Sequence, residues 1–351
     1  MAMSTKTAEF VVTEKDLLQG LDKATAEYKI AALTKKSGRV LYDTVKNSNE
    51  ILLEYLPTVL PPKKFFFPQD EVILEYTSDG KINAKIEANP LVLFGIRPCD
   101  LNGFKILYET FADDHGDPNY LAKVEQTVVI GVDCENTCDE DAFCFKVGAQ
   151  NATQGYDLML YKFAPTSYAV EIANDKGRNF INKYLITSGA RGDEVAIFQA
   201  KKDAGFKNKK PFKNLSKLPE LFEQNKHHPI WEQEGDRCLS CGSCVMVCPT
   251  CYCFDVTDEW QLNLKKGERI RKWDACMLDH FAVIGSGENF RHSPTARLHH
   301  RISRKFNFLM KKHGQAVCVG CGRCVRACLA DISPKVIAEA VGADQEQLET
   351  I

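Results

Sequence analysis

The sequence predicts an α+β fold in which an N-terminal α/β-type domain is followed by a helical domain. Three observations support this prediction. Short apolar runs bounded by turn residues fill the N-terminal part, cysteines concentrate in two short groups nearer the C-terminus, and a segment with helical periodicity lies between those groups. We expect an N-terminal domain over residues 1–225, a helical domain over 226–340 and a C-terminal tail over 341–351.

Composition narrows the function classes. The chain has 351 residues, 44% hydrophobic and 26% charged, with a formal net charge of −2, which fits a globular protein of two or three domains and gives no overall attraction to nucleic acid. The N-terminus lacks a signal-peptide pattern, and runs such as "PLVLFGI" are too short to span a membrane. Fifteen cysteines in such a chain indicate metal or redox chemistry in the cytoplasm rather than disulfides.

The N-terminal domain reads as one helix followed by several buried strands. The helix is "EKDLLQGLDKATAEY", and the strands are "KIAALTK", "RVLYDTV", "VILEY", "LVLFGI" and "TVVIGVD". The segments "DLMLYKF" and "SYAVEIA" predict a hairpin around Pro165. The lysine-rich stretch "KKDAGFKNKKPFKNLSK" is the predicted linker to the second domain.

Two cysteine runs define the chemistry of the second domain. The first is Cys238-x2-Cys241-x2-Cys244-x3-Cys248-Pro249, and the second repeats this spacing from Cys318 to Cys328 without the final proline. This is the bacterial [4Fe-4S] ferredoxin pattern, in which the fourth cysteine of each run binds the other cluster. The alternative, two zinc sites, is disfavoured because zinc ligands come as separated pairs. The predicted ligand sets are therefore Cys238, Cys241, Cys244 and Cys328 for cluster 1, and Cys318, Cys321, Cys324 and Cys248 for cluster 2.

A basic helix should connect the two runs. In "HSPTARLHHRISRKFNFLMKKHG", Ser293 is the predicted N-cap and Pro294 the first helical residue. Residues 291–330 contain nine Lys or Arg and no Asp or Glu. Because a [4Fe-4S] centre is negatively charged, nearby cations should stabilise its reduced state. The candidates are Arg301, Arg304, Arg323 and Arg326. A solvated basic face is the alternative, and nucleic-acid binding is a weaker one.

These motifs resemble a known family of iron–sulfur subunits. The segments "CGSCVMVCPTCYCFDV", "RKWDACMLDHFAVIGSGENFR", "HHRISRKFNF" and "HGQAVCVGCGRCVRAC" are similar to the electron-transfer subunit that cytosolic sulfhydrogenases, as their β subunit, share with anaerobic sulfite reductases. The resemblance extends through "LVLFGIRPCDLNGFKILYETF", "DPNYLAKVEQTVVIGVDC" and "QGYDLMLY". It implies an iron–sulfur chain that relays electrons between a flavoprotein partner linked to NAD(P)H and a catalytic partner, a hydrogenase or sulfite reductase.

Four further cysteines are candidates for a third [4Fe-4S] cluster. Cys99 and Cys134 each follow an apolar strand, and Cys138 and Cys144 lie shortly after Cys134. Strand ends meet at one edge of a sheet, where loops build sites. The alternative is that these cysteines pack as small buried hydrophobes.

Two other questions stay open at the level of sequence. Cys251, Cys253 and Cys276 are expected to pack beside the clusters, with an additional metal site as the alternative. The chain has neither a dinucleotide-binding nor a Walker motif, which favours a non-catalytic subunit. A self-sufficient iron–sulfur reductase with its active site in the N-terminal domain, and a purely structural iron–sulfur protein, are the alternatives.

Overall fold

The computed structural model describes residues 7–55 and 57–343. Its strands are β1 (Phe10–Thr13), β2 (Lys29–Lys36), β3 (Arg39–Val45), β4 (Asp70–Thr77), β5 (Ile82–Ala84), β6 (Leu91–Ile96), β7 (Thr127–Val132), β8 (Leu158–Ala164), β9 (Ser167–Ile172), β10 (Ser188–Gly189), β11 (Phe254–Trp260) and β12 (Lys266–Trp273). Its α-helices are α1 (Glu14–Ala24), α2 (Pro98–Phe111), α3 (Pro118–Glu125), α4 (Asp175–Tyr184), α5 (Glu194–Phe206), α6 (Leu218–Gln224), α7 (Ile230–Arg237), α8 (Ser243–Met246), α9 (Pro294–Ser303), α10 (Leu309–His313), α11 (Arg323–Arg326) and α12 (Pro334–Val341). None of the helices in these residues is long and apolar enough to cross a membrane.

The chain forms two compact units, each built from separate stretches of sequence. The first comprises the described residues up to Phe66 together with Glu87–Glu140 and Ala149–Lys209. The second comprises Phe67–Ile86, Asp141–Gly148 and the described residues from Lys210 onward. Of the predicted tail over 341–351, residues 344–351 lie outside the described part of the chain.

An eight-stranded mixed sheet forms the centre of the first unit. Its strand order is β10-β1-β9-β8-β7-β6-β2-β3, with parallel pairing from β2 through β6 and β7 to β8 and antiparallel pairing elsewhere. The parallel strands are apolar on both faces, as expected of strands covered on both sides. Every residue of β7 is buried, for example.

Local capping signals set the helix starts in the first unit. The Thr13 side chain accepts a hydrogen bond from the Asp16 N–H at the start of α1, and Asn174 does the same for Gly177 in α4. These are typical N-cap interactions and satisfy N–H groups that the helix leaves unpaired. α1 and α4 then bury Leu17, Leu21 and Phe180 in the core.

The second unit combines helices with a four-stranded antiparallel sheet. Its strand order is β11-β12-β4-β5, and β4 pairs with β12 in the register Glu71↔Arg271. The Arg271 guanidinium donates to the Glu71 carboxylate at 2.5 Å, and both side chains are buried. The β11–β12 hairpin was not predicted from the sequence.

The predicted basic helix of the second unit is confirmed. Ser293 caps α9 by accepting from the Ala296 N–H at 3.1 Å, and Pro294 is its first residue. The helix continues through a π-helical turn at Arg304–Phe308 into α10. Ile302 and Phe306 lie fully within the core of this unit.

Most other predicted elements are also confirmed. The helix at α1, the strands β2, β3, β4, β6 and β7, and the β8–β9 hairpin around Pro165 are all present, and the α+β class holds. The linker prediction is wrong in part, because residues 201–206 form the end of α5. Lys202 lies in this part of α5, and its buried ammonium pairs with the Asp133 carboxylate at 2.6 Å, which holds the segment against the first unit.

Candidate iron–sulfur centres

Cys238, Cys241, Cys244 and Cys328 line one cavity of the second unit. Its empty space is about 480 Å³, including the part open to solvent. The first three cysteines come from the loop between α7 and α8 and from the start of α8, and the fourth follows α11. The structure therefore brings together the four residues that the sequence predicts for cluster 1.

A second cavity is lined by Cys318, Cys321, Cys324 and Cys248. Its empty space on the same measure is about 360 Å³. Here three cysteines come from the second run and the fourth from the first run. The two short helices that follow the loops, α8 and α11, lie in contact. This exchange of fourth cysteines matches the pattern expected of a two-cluster ferredoxin fold.

The two loops have the same backbone conformation at equivalent positions. Ser240 and Gly320 have φ angles of 51° and 60°, and Gly242 and Gly322 have φ angles of 75° and 74°. These left-handed conformations let the chain turn tightly enough for three closely spaced cysteines to face one cavity. Gly320 has a further reason to be glycine, because a Cβ there would lie 2.6 Å from backbone atoms of Phe143.

Backbone N–H groups donate to two of these sulfur atoms. The Ser240 N–H points to the Cys238 sulfur and the Ile332 N–H to the Cys328 sulfur, each at 3.4 Å. A hydrogen bond with Ser243 lowers the pKa of Cys241, whereas burial raises the pKa of Cys244 to about 11. A buried thiol releases its proton readily only when a cation or metal centre compensates the thiolate.

Two buried cations border these cavities. Arg301 lines both of them and donates to the Cys244 carbonyl at 3.1 Å, and Lys305 lines the second. Their exposed fractions are 4% and 5%. In the described part of the chain neither side chain pairs with a carboxylate, and the Arg301 Nε has no hydrogen-bond partner.

Uncompensated buried charge is costly, so this arrangement fits an anionic group in the cavities. Burial disfavours the Lys305 ammonium, but negative charge on Cys248 and Cys251 outweighs burial and raises its pKa. Four thiolates with adjacent cations are a donor set suited to an anionic iron–sulfur cube. If cubes are bound, the cysteines hold the iron and the cations offset the negative charge.

The other predicted cations lie nearby with different contacts. Arg326 donates to the Cys321 carbonyl at 2.8 Å, and Arg323 is buried at the start of α11. Arg304 instead donates to the Tyr252 hydroxyl at 2.6 Å. Sequence reasoning missed Lys305, although it lies one helical turn after Arg301 and shares its face of the helix.

A single metal ion does not fit the cysteines. Within residues 7–55 and 57–343, no three His, Cys, Asp or Glu side chains are arranged to hold one ion. Zinc requires four sulfur atoms each about 2.3 Å from the metal, which forces the sulfur atoms close together. A cube with four iron atoms holds its ligands farther apart, so these wider sulfur positions suit a cube.

The four N-terminal cysteines do not form one group within a single unit. Cys134 and Cys138 line a cavity of the first unit with about 1360 Å³ of empty space. Cys99 is buried at the start of α2 and does not line that cavity. Cys144 belongs to the second unit, where its backbone lies beside Gly320.

An arginine lies beside the first-unit cysteine Cys134. Arg97 donates to the Asp133 carbonyl at 3.1 Å and its guanidinium lies 4.8 Å from the centre of the Tyr55 ring. Burial raises the pKa of Cys134, while the charge of Arg97 opposes that rise. The cavity is thus polar, with a thiol whose charge state depends on Arg97.

The remaining three cysteines share a third cavity of the second unit. Cys251, Cys253 and Cys276 line about 720 Å³ of empty space together with Arg304 and Lys305. Cys251 is hydrogen bonded to Cys248, and Cys253 to Cys276. The hydrogen bond from Cys276 lowers the pKa of Cys253 to about 6, and the same bond raises the pKa of Cys276. The sequence predicted that these three cysteines pack beside the clusters. That prediction describes Cys251, which contacts the cluster ligand Cys248, but it does not explain the contact between Cys253 and Cys276.

The geometry of the two four-cysteine cavities is that of an iron–sulfur protein. In agreement, residues 237–332 match the family of 4Fe-4S dicluster domains. One relative is the sulfhydrogenase 2 subunit beta of Pyrococcus furiosus, which is 31% identical over 312 residues, covering 86% of this chain and 88% of the relative. No solved structure matches the chain significantly. The chain belongs to the sulfhydrogenase β-subunit family and is an iron–sulfur electron-transfer subunit with [4Fe-4S] clusters.

Proposed function

We propose that this chain is a cytoplasmic relay that passes electrons through two [4Fe-4S] clusters between two partner subunits. One partner is a flavoprotein linked to NAD(P)H, and the other carries the catalytic site of a hydrogenase, a sulfite reductase or a similar enzyme. The supporting observation is that two four-cysteine cavities adjoin the same buried cation, Arg301. Two centres that share a bordering side chain are close enough to exchange electrons.

The ligand assignment has a direct test in four serine variants. Cys248→Ser and Cys321→Ser should perturb the same cluster signal in electron paramagnetic resonance, because both residues line one cavity. Cys328→Ser and Cys241→Ser should perturb the other signal. If Cys248→Ser instead perturbs the same signal as Cys241→Ser, each run holds its own cluster and the proposed exchange of fourth cysteines is wrong.

The partners are tested by anaerobic purification of the tagged chain from its native cells. Mass spectrometry should identify a flavoprotein and a catalytic subunit in stoichiometric amounts. The isolated chain should contain iron and sulfide but no tightly bound flavin or NAD(H). Stoichiometric flavin in the chain alone would contradict the relay.

The self-sufficient reductase is the second candidate, favoured by the polar first-unit cavity that contains Cys134, Cys138 and Arg97. It predicts turnover of a substrate by the isolated chain with reduced nicotinamide. The relay predicts none, and Cys134→Ala would leave electron transfer between the C-terminal clusters intact.

A further inference from the structure

A large cavity of the first unit is separate from the cysteine chemistry. It has about 1150 Å³ of empty space, including the part open to solvent, and none of the described residues that line it is a cysteine. Helices α2, α3 and α4, strand β7 and the loop before β8 contribute to its walls. A ligand in this cavity is therefore held by contacts other than those of a thiol.

Aromatic rings form much of the wall. They belong to Phe66, Phe104, Tyr108, Tyr120 and Tyr156. Phe66 packs edge-on against Phe104 and Tyr120, with ring centres 4.8 and 6.0 Å apart. Tyr108 is 48% exposed, whereas the other four side chains are buried. Such rings offer apolar surface on which another aromatic ring can pack face-to-face or edge-on.

One lysine of the wall is fixed in place with a donor to spare. The Lys176 ammonium donates to the carbonyls of Val124 and Thr127 at 3.2 and 2.9 Å. An ammonium has three N–H donors, so these two bonds leave one unused. The other lysine of the wall, Lys105, is paired with the Glu109 carboxylate at 3.8 Å. Lys176 therefore supplies a positive charge and a single donor to a ligand.

The carboxylates of the wall are already bonded. Glu109 pairs within its own helix, and Asp157 accepts from the Val129 N–H at 2.7 Å and from the Asn174 side chain at 2.8 Å. Asn174 also caps α4 by accepting from the Gly177 N–H, so the N-terminus of that helix lies at the cavity. The helix dipole favours negative charge at this end. The wall thus suits one anionic group.

A buried hydroxyl of the wall has no hydrogen-bond partner. Tyr120 is fully buried, and its Oη bonds to nothing within residues 7–55 and 57–343. Leaving a buried hydroxyl unsatisfied is costly, and nearly all such groups in proteins are bonded. Because Tyr120 lines the cavity, a polar atom of a bound molecule can supply the missing bond.

We propose that this cavity binds a small aromatic carboxylate. The ring of the ligand packs against Phe104 and Tyr108, its carboxylate accepts from the Lys176 ammonium, and one of its oxygens bonds to the Tyr120 hydroxyl. A single negative charge matches the single unused donor of Lys176. Binding involves no transfer of electrons or groups, so the site does not depend on the proposed relay.

The test is calorimetric titration of the full chain, purified anaerobically with its iron, against three probes. 2-Naphthoate has the ring and the charge, 2-naphthamide has the ring alone, and octanoate has the charge without a ring. 2-Naphthoate should bind one site per chain with a Kd below about 1 mM, as expected of a ligand of this size. The other two should bind at least about tenfold more weakly.

Each probe can overturn one part of the proposal. Equal affinity for 2-naphthamide would exclude the carboxylate, and equal affinity for octanoate would exclude the aromatic ring. The absence of saturable binding of 2-naphthoate up to about 1 mM would overturn the site itself.

Tyr120→Phe distinguishes a ligand-binding hydroxyl from a structural one. It should weaken 2-naphthoate binding about fivefold, because one hydrogen bond is lost, without lowering the urea midpoint of the unliganded chain. Tyr42→Phe is the matched control, since its buried hydroxyl donates to the Gly95 carbonyl at 2.9 Å and lies outside this wall. It should lower the urea midpoint and leave the affinity unchanged. Unchanged affinity in Tyr120→Phe would overturn the bond from its hydroxyl to the ligand.

Two wall variants separate charge from ring packing. Lys176→Gln should weaken 2-naphthoate about tenfold relative to 2-naphthamide, and Lys176→Arg, which keeps the charge, should recover most of that affinity. Tyr108→Ala, at an exposed position of the wall, should weaken both naphthyl probes by a similar factor. If Lys176→Gln weakens the two naphthyl probes equally, the ammonium does not bind the carboxylate and the anionic ligand class is wrong.

Discussion

Replacing Arg301 by glutamine should lower the reduction potentials of both clusters. Arg301 borders both cysteine cavities, is 4% exposed and pairs with no carboxylate in the described residues. Its charge therefore acts on the clusters with little screening. Adding an electron to a cluster is favoured by that charge and becomes less favourable without it.

The size of the effect follows from Coulomb's law. A charge about 7 Å from the added electron, at an effective dielectric constant of about 20, contributes about 2 kcal/mol. One electron corresponds to about 2.3 kcal/mol per 100 mV, so each cluster should shift by about 100 mV to more negative potential. The shift should appear in both clusters, since one side chain borders both.

The assay is an anaerobic redox titration followed by electron paramagnetic resonance. Arg301→Lys keeps the positive charge and should recover most of the shift, which separates charge from packing. Arg269→Gln, on the exposed face of β12, should leave both potentials unchanged. With iron content equal to that of the natural chain, a shift of less than about 20 mV in Arg301→Gln would refute the assigned role.

Three further outcomes are expected. Gly320→Ala should reduce iron retention because its Cβ would meet the Phe143 backbone, whereas Gly285→Ala, where the space is open, should not; equal iron content in the two variants would refute this. Lys202→Met should lower the free energy of unfolding by about 3–5 kcal/mol in urea titrations, since it removes the cation that pairs with the buried Asp133 carboxylate, and adding Asp133→Leu should recover much of the loss. Iron analysis should give about eight atoms per chain for two cubes and about twelve for three. If the N-terminal cysteines hold the third cube, Cys134→Ala should lose about four atoms, and an unchanged count contradicts that prediction.

The sequence was most informative where local chemistry dictates structure. The cysteine spacing predicted which residues meet in each cavity, and Ser293 with Pro294 predicted the start of α9. The spacing within each run and the helix cap are patterns of a few residues, and the ferredoxin rule supplies the exchange of the fourth cysteines between the runs. The apolar strands β6 and β7 were equally clear because both of their faces are buried.

The missed features depend on contacts between distant residues. Strand β11 is mostly exposed, and both β11 and β12 are rich in charge, so they carry little of the apolar alternation that indicates a strand. The pairing of β12 with β4 could not be predicted either, because the apolar pattern of "VILEY" does not distinguish it from the strands of the N-terminal sheet. The thiol pair Cys253 and Cys276 escaped notice for the same reason, since only the hairpin joins them.

The assembly of the second unit from separate stretches of sequence determines when its metal sites can form. Strand β4 cannot pair with β12 until β12 has been synthesised, about two hundred residues later. The segment at Phe143 likewise cannot bind the second loop until that loop exists, because the Phe143 N–H donates to the Gly320 carbonyl at 2.7 Å. The last cysteine to be synthesised is Cys328 for the cluster 1 cavity and Cys324 for the cluster 2 cavity, and both lie near residue 325. Ribosomes will therefore have synthesised the chain at least through Cys324 or Cys328 before either four-cysteine cavity can close, and iron can be inserted only after that point. A fragment beginning at residue 226 would contain every predicted cluster cysteine of the C-terminal runs and yet lack β4, β5 and the segment that supports the second loop.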